Sequence, residues 1–214
     1  MWKWNSEARR YYNDETGQFM PRDTVLGYVQ GSLDATASVT DTLATLAGEG
    51  RLSPADWRHL MREEIKREYI RQYVLGIGGR EQMGFEDWGR VGGMLTDQYR
   101  YLEGFYNEIL TGQLSEAQIS ARAQMYITSA RESYERANAQ AWGAPPLPAY
   151  PGDGSTACLT NCNCSWRIDS AEAEEGRLAW VCYWQLGVVK TDHCSDCVER
   201  ALTWAPLILE REGA

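Results

Sequence analysis

Cys158-Leu159-Thr160-Asn161-Cys162-Asn163-Cys164-Ser165-Trp166, answered after a Trp-rich run by His193-Cys194-Ser195-Asp196-Cys197, is the stretch on which the chain turns. Five cysteines fall into two tight clusters, with His193 beside the second and Cys182 between them. No thiol precedes Cys158. A tetrahedral zinc site takes four thiolate or imidazole ligands at ~2.0–2.3 Å, and two short loops giving two ligands each are the simplest way to supply them. Cys194 and Cys197 form a CxxC knuckle; Cys158, Cys162 and Cys164 offer CxxxC and CxC on the other side. Paired knuckles separated by a hairpin follow zinc-ribbon logic. The expectation is a small α+β, zinc-ribbon-like module over residues 157–214, closed by structural zinc. Cys194, Cys197 and two of Cys158, Cys162 and Cys164 are its expected ligands, with His193 as a substitute.

Six cysteines also pair evenly, so disulfides are an alternative. They require an oxidising compartment, and Met1-Trp2-Lys3-Trp4 runs straight into charged residues rather than into a secretory leader. A thioredoxin-like CxxC would want a βαβ setting, which the pattern lacks. Unligated thiols are the third reading. Alternation in Leu178–Leu186 puts Leu178, Trp180, Cys182, Trp184 and Leu186 on one strand face, so Cys182 reads as a small buried hydrophobe.

With 214 residues, 43% of them hydrophobic, and nine Trp, the chain can bury a sizeable core. A formal net charge of −9 argues against general nucleic-acid binding, which needs basic surface to neutralise phosphates. No apolar run approaches the ~20 residues of a membrane span.

Ahead of the cysteines the periodicity is helical, giving a mainly α fold with an antiparallel helical body over 31–143. Residues 1–30 read as an arm or hairpin: Asn13-Asp14-Glu15-Thr16-Gly17, flanked by aromatic residues, is a turn between two extended pieces. The surrounding Arg10–Phe19 pattern resembles the repeated motif of Rhs/YD-repeat proteins, over barely a dozen residues. From Ser32, Leu33, Ala37, Thr40 and Leu43 recur at helical spacing. Ser53-Pro54-Ala55-Asp56 is a helix start, with Ser at the N-cap and Pro at N1. Trp57, Leu60 or Met61, Ile65, Tyr69 and Tyr73 form its apolar stripe; Arg62, Glu63, Glu64, Lys66, Arg67 and Glu68 are expected to face water or a partner. Gly76-Ile77-Gly78-Gly79 resembles a phosphate loop but follows a helix and lacks Gly-Lys-Ser/Thr, so it reads as a helix end. A third helix is expected over Phe85–Leu110, where Gly89, Gly92 and Gly93 imply close helix approach or a break. Ser115 and Gln118 form a capping box for a fourth helix reaching Ala137. Pro145–Gly154 reads as a semi-rigid linker, 144–156. Beyond it come strands at Ser165–Asp169 and Leu178–Leu186 around an acidic turn at Ser170–Gly176, then a helix from about Ser195 bearing Ala201, Leu202, Trp204, Leu207 and Ile208.

No acid, base and nucleophile set can be assembled, so no catalytic residue is expected. His59 has no visible catalytic partner. Glu63/Glu64/Glu68 and Glu172/Glu174/Glu175 read as solvated charge.

Taken together, Cys162, Cys164, His193, Cys194, Cys197, Trp204 and Pro206 resemble the C-terminal layout of phage minor head (head-morphogenesis) proteins: a helical body, a Pro/Gly linker, a CxC element, then HCxxC and Trp-Pro. Cys158 and Cys182 are additional to that layout. The resemblance covers about the last 60 residues. It implies a non-enzymatic virion or head-assembly component, present in multiple copies and contacting portal, capsid or neck proteins. The alternative is a zinc-ribbon module that contacts nucleic acid or a regulatory protein, which Asp192, Asp196 and Glu199 beside the second knuckle disfavour.

Overall fold

A computed structural model describes residues 2–172, 178–187 and 193–210. In chain order the elements are β1 (Trp2–Asn5), β2 (Arg10–Asn13), α1 (Arg22–Gly48), α2 (Pro54–Ile77), α3 (Phe85–Leu110), α4 (Glu116–Thr128), α5 (Arg131–Ala141), β3 (Ser165–Glu172), β4 (Leu178–Gln185), α6 (Ser195–Thr203) and β5 (Leu207–Glu210).

 A short 3-10 turn, Arg80–Gln82, joins α2 to α3. Mostly helical, the chain carries its small antiparallel sheet β3-β4-β5 at the C-terminal end.

Local chemistry explains most helix boundaries. At the start of α2, Ser53 accepts the Asp56 amide at 3.1 Å, with Pro54 in the first helical position. Gly78 closes that helix in the left-handed region at φ 85°. Ser115 and Gln118 cap α4 reciprocally, through Ser115 N–H to Gln118 Oε1 at 2.9 Å and Gln118 N–H to Ser115 Oγ at 3.4 Å. The expected fourth helix is two: α4 and α5 are separated at Ser129 and Ala130. Ser129 Oγ donates to the Tyr126 carbonyl at 2.8 Å, a local bond of the kind that bends helices.

The helical core gathers Trp57, Met61, Ile65, Tyr69 and Tyr73 from α2 with Val91, Leu102 and Phe105 from α3 and Ile119, Ile127, Tyr134 and Ala137 from α4 and α5. The closest helix approach is not at the glycines of α3. A Cβ built on Gly89, Gly92 or Gly93 meets nothing within 4 Å, and α3 runs through them unbroken. Gly76 is the crowded position: a Cβ there would lie 2.4 Å from the Tyr134 carbonyl oxygen and 2.8 Å from Ala137 Cβ, which is how α2 and α5 come together.

Helix α1 starts at Arg22, ahead of the Ser32 where its apolar period becomes plain, and buries Val25, Val29, Leu33, Thr36, Thr40 and Ala44. It also corrects the reading of Glu68 as a solvated residue. Glu68 is fully buried and accepts from Ser32 Oγ at 2.8 Å, Thr36 Oγ1 at 2.7 Å, Gln72 Nε2 at 2.7 Å and Arg71 NH1 at 3.0 Å. A buried carboxylate is tolerable only when its lone pairs are met in this way.

The N-terminal arm folds onto its own helices. β1 and β2 pair with Trp4 opposite Tyr11, and a second turn at 14–17 returns the chain so that Tyr12 bridges Phe19. The Tyr11 hydroxyl donates to the Gly76 carbonyl at 2.6 Å and lies 2.9 Å from Asn138 Oδ1. Trp4 N–H donates to the Gly78 carbonyl at 3.2 Å, and the Trp4 ring packs 5.3 Å from that of Trp142.

Between the helical body and the sheet, the proline-rich stretch 144–156 is packed rather than free. Leu147, Ala149 and Tyr150 are buried, and Ala149 accepts the indole N–H of Trp166 at 2.9 Å.

Candidate metal centre

Two loops and one helix bring the cysteines together. The first knuckle, 158–164, leads into β3; the second opens α6, where Cys194 is the N-cap residue and Cys197 lies in the first turn. The Ala157 amide donates to Asp196 Oδ2 at 2.6 Å, pinning one loop against the start of α6. Gly187 holds the other side: a Cβ there would fall 2.2 Å from the Asn163 carbonyl oxygen, so only glycine lets the strand end pass so close to the knuckle.

The sulfurs meet as the spacing anticipates. Cys158 Sγ lies 3.8 Å and Cys162 Sγ 3.5 Å from Cys197 Sγ, and Cys164 Sγ is 3.9 Å from His193 Nδ1. Cys158, Cys194 and Cys197 form one group of donor atoms lying within 4.8 Å of one another, and Cys162, Cys164 and Cys197 form a second. All six cysteines are free thiols, and these separations far exceed a disulfide's ~2.05 Å. They approach the ~3.8 Å edge of a tetrahedron with metal–sulfur bonds of ~2.3 Å, so the donor set fits a metal ion.

Burial and neighbouring donors set the thiols apart. Cys162 is brought down to about 5, first by the Cys164 thiol, then by the Cys164 backbone amide and the Cys197 thiol, against the cost of burial. Cys164 is driven upward as the partner in that bond and by burial. Cys194 is lowered: burial opposes this, but the backbone amides of Cys197 and Cys158 outweigh it. Burial raises Cys158 and Cys197. Amides pointing at knuckle sulfurs stabilise the thiolate, which is the form that binds metal. Cys182 belongs to neither group; it is fully buried in β4 opposite Ile168 and Leu207, and burial pushes it up to about 11.

Three charged residues that the spacing of cysteines does not announce hold this centre to the helical body. Glu135 and Arg131, one turn apart on α5, are both buried. Arg131 Nε donates to the Cys164 carbonyl at 3.0 Å, and Glu135 Oε2 accepts the Trp166 amide at 3.1 Å. From α1, Arg22 reaches Ser165 Oγ at 2.7 Å and the Trp166 carbonyl at 3.2 Å. Burial pushes the Glu135 carboxyl up to about 7, with Arg131, the Trp166 amide and Arg22 opposing. The one signal in the sequence is the i, i+4 Arg131/Glu135 pair set between Ala130 and Ala137 on a face of small residues.

Behind the cysteines, the rings of Trp166, Trp184 and Trp204 lie 5.3 to 5.8 Å apart, and the Arg200 guanidinium sits 5.1 Å from the Trp184 ring and 5.0 Å from the Trp204 ring. Leu207 and Ile208, expected on α6, instead belong to β5, which pairs with β4 beyond the cis Ala205–Pro206 bond. Proline ends the helix, and the freed chain completes the sheet. Of the acidic residues beside the knuckles, Asp196 and Glu199 lie on α6, while Asp192 falls outside the described residues. So do Glu174 and Glu175 and most of the acidic turn expected between the strands. His59 is an exposed residue of α2.

No helix among the described residues is long and apolar enough to cross a membrane. No protein family, curated protein or solved structure matches this chain.

Proposed function

We propose that this chain is a non-enzymatic structural component of a phage particle, a minor head or head-assembly protein that binds portal, capsid or neck proteins and carries structural zinc. The observation that carries the reading is the convergence of Cys158, Cys162, Cys164, Cys194 and Cys197, with His193 alongside, in a module anchored to the helices by buried Arg131 and Glu135. A donor set made almost wholly of cysteine sulfur favours zinc. Fixed in this way, the module is a rigid knob on a helical body, a shape suited to holding neighbours in an assembly. The C-terminal layout resembling phage minor head proteins supplies the biological setting. Large apolar side chains dispersed over the surface support protein contacts: Phe85 is 94% exposed, Leu202 77% and Tyr101 63%.

The test is co-expression with the portal and capsid proteins of the same genome, followed by sedimentation and metal analysis. Co-sedimentation with heads or portal rings, with zinc bound, is the expected result. A monomer that ignores both and retards DNA would instead favour the zinc-ribbon nucleic-acid reading, which the net charge of −9 and the positions of Asp196 and Glu199 oppose.

A further inference from the structure

The two donor groups share one atom, Cys197 Sγ. One tetrahedral ion uses four donors, whereas five thiols and an imidazole converge here. The geometry points to a pair of metal ions bridged by the Cys197 thiolate. The inner ion takes Cys162, Cys164, Cys197 and His193. The outer takes Cys158, Cys194 and Cys197, with its fourth position open to water or an external thiolate. This inference rests on reading the cysteines as a metal centre and deepens it.

Three observations carry the assignment. First, the short sulfur–sulfur distances, 3.5 Å to Cys162 and 3.8 Å to Cys158, radiate from Cys197, one into each group. Each is close to a tetrahedral edge of ~3.8 Å. Cys158 and Cys162, although both on the first knuckle, share no group, so a single ion would have to pull that loop's two sulfurs closer to use both. Second, the groups differ in exposure. Cys162, Cys164 and Cys197 are all buried, as a closed four-ligand site requires; His193 is not within that group as it stands, but its Nδ1 lies 3.9 Å from Cys164 Sγ, the imidazole at hand for the fourth position. Cys158 and Cys194 are only half-buried, which leaves solvent access on the outer side. Third, one tetrahedral ion leaves at least one of the five converging sulfurs without a metal, whereas two ions sharing Cys197 use all five. Cys197 also lies in the first turn of α6, where the unpaired amides favour the negative sulfur that must serve both ions.

The experiment is an anaerobic titration of the full-length, reduced, metal-free chain with Cd²⁺, following thiolate-to-metal absorbance and native mass, with ¹¹³Cd NMR at saturation. Absorbance rising to two equivalents, two bound ions and two thiolate-shifted resonances are expected. The double variant Cys164→Ser/His193→Ala should retain one ion, in the outer set. Absorbance that saturates at one equivalent in the unaltered protein overturns the bridged pair and leaves a single structural ion standing. No thiolate-linked binding at all overturns both the pair and the metal reading of the module. The unaltered protein decides between these outcomes even if a variant fails to fold.

Discussion

Glu135 on α5 accepts the backbone amide of Trp166 on β3 at 3.1 Å, with both residues buried. This bond joins the helical body to the strand that leaves the first cysteine knuckle. Arg131, whose NH2 lies 3.8 Å from Glu135 Oε1, ties the same α5 turn to Cys164. Replacing Glu135 by Ala leaves the Trp166 amide unpaired and, above about pH 7 where the carboxyl is ionised, Arg131 buried without its counter-charge. A loss of about 3 kcal/mol is expected from breaking a buried pair on one side. Urea unfolding followed by Trp fluorescence measures it. Stability unchanged within 0.5 kcal/mol, on the order of a surface substitution, would show that the bond does not couple the two parts.

Chelation separates the two cores. Removing bound metal, or replacing Cys194 and Cys197 by Ser, should loosen the Trp166/Trp184/Trp204 cluster and leave the helices formed, because the helical core does not include the cysteines. Near-UV circular dichroism should collapse while far-UV helicity persists, and proteolysis should become faster beyond Tyr150. Unchanged resistance in the double Ser variant would count against a metal-closed module.

Two glycine substitutions should move stability in opposite directions. Gly76→Ala drives a methyl into the Tyr134 carbonyl and Ala137, at an expected cost of about 1–3 kcal/mol. Gly89→Ala meets open space inside a helix and should stabilise by about 0.5–1 kcal/mol. Thermal melts of both variants check the pair; equal shifts would contradict the packing of α2 on α5.

Asp87 supplies a pH signature remote from the cysteines. Burial raises its pKa, but the Gly84 amide, Tyr73, Gln140 and Arg90 outweigh burial and hold the carboxyl below its ordinary 3.8. The folded state therefore binds this proton less readily than the unfolded one. Its contribution is fully present above the unfolded value and is lost as pH falls through the lowered folded value. Asp87→Asn should destabilise by about 2–3 kcal/mol at neutral pH, and the gap to the unaltered protein should close below about pH 4. A gap that stayed constant from pH 7 to pH 3 would exclude the carboxylate as its source.

What could be read from the sequence was local chemistry. The caps at Ser53, Ser115 and Gly78 act within one turn, and each lies where its pattern placed it. The two cysteine clusters announced their meeting because short ligand spacing is itself a local signal. The misplacements share a different cause. Glu68 looked solvated in a run of charge because the hydroxyls that satisfy it, Ser32 and Thr36, come from α1. The α3 glycines suggested close packing or a break, yet crowding depends on the neighbour across the gap, which Gly89, Gly92 and Gly93 lack and Gly76 has. Leu207 and Ile208 continue a helical period, and their strand pairing with β4 involves a partner about 27 residues away in the chain. Arg131 and Glu135 matter to the centre only because β3 docks there.

The docking of Tyr11 against Gly76 and Asn138 also bears on the order of events during synthesis. An isolated hairpin is marginal in water, and one of its anchors lies 127 residues downstream. At translation rates of ~5–20 residues per second, the first strands wait roughly 6–25 s before Asn138 is made. An arm made well ahead of its anchors is thus among the last parts to settle, and α2 and α5 must already be joined at Gly76 before it finds its complete seat.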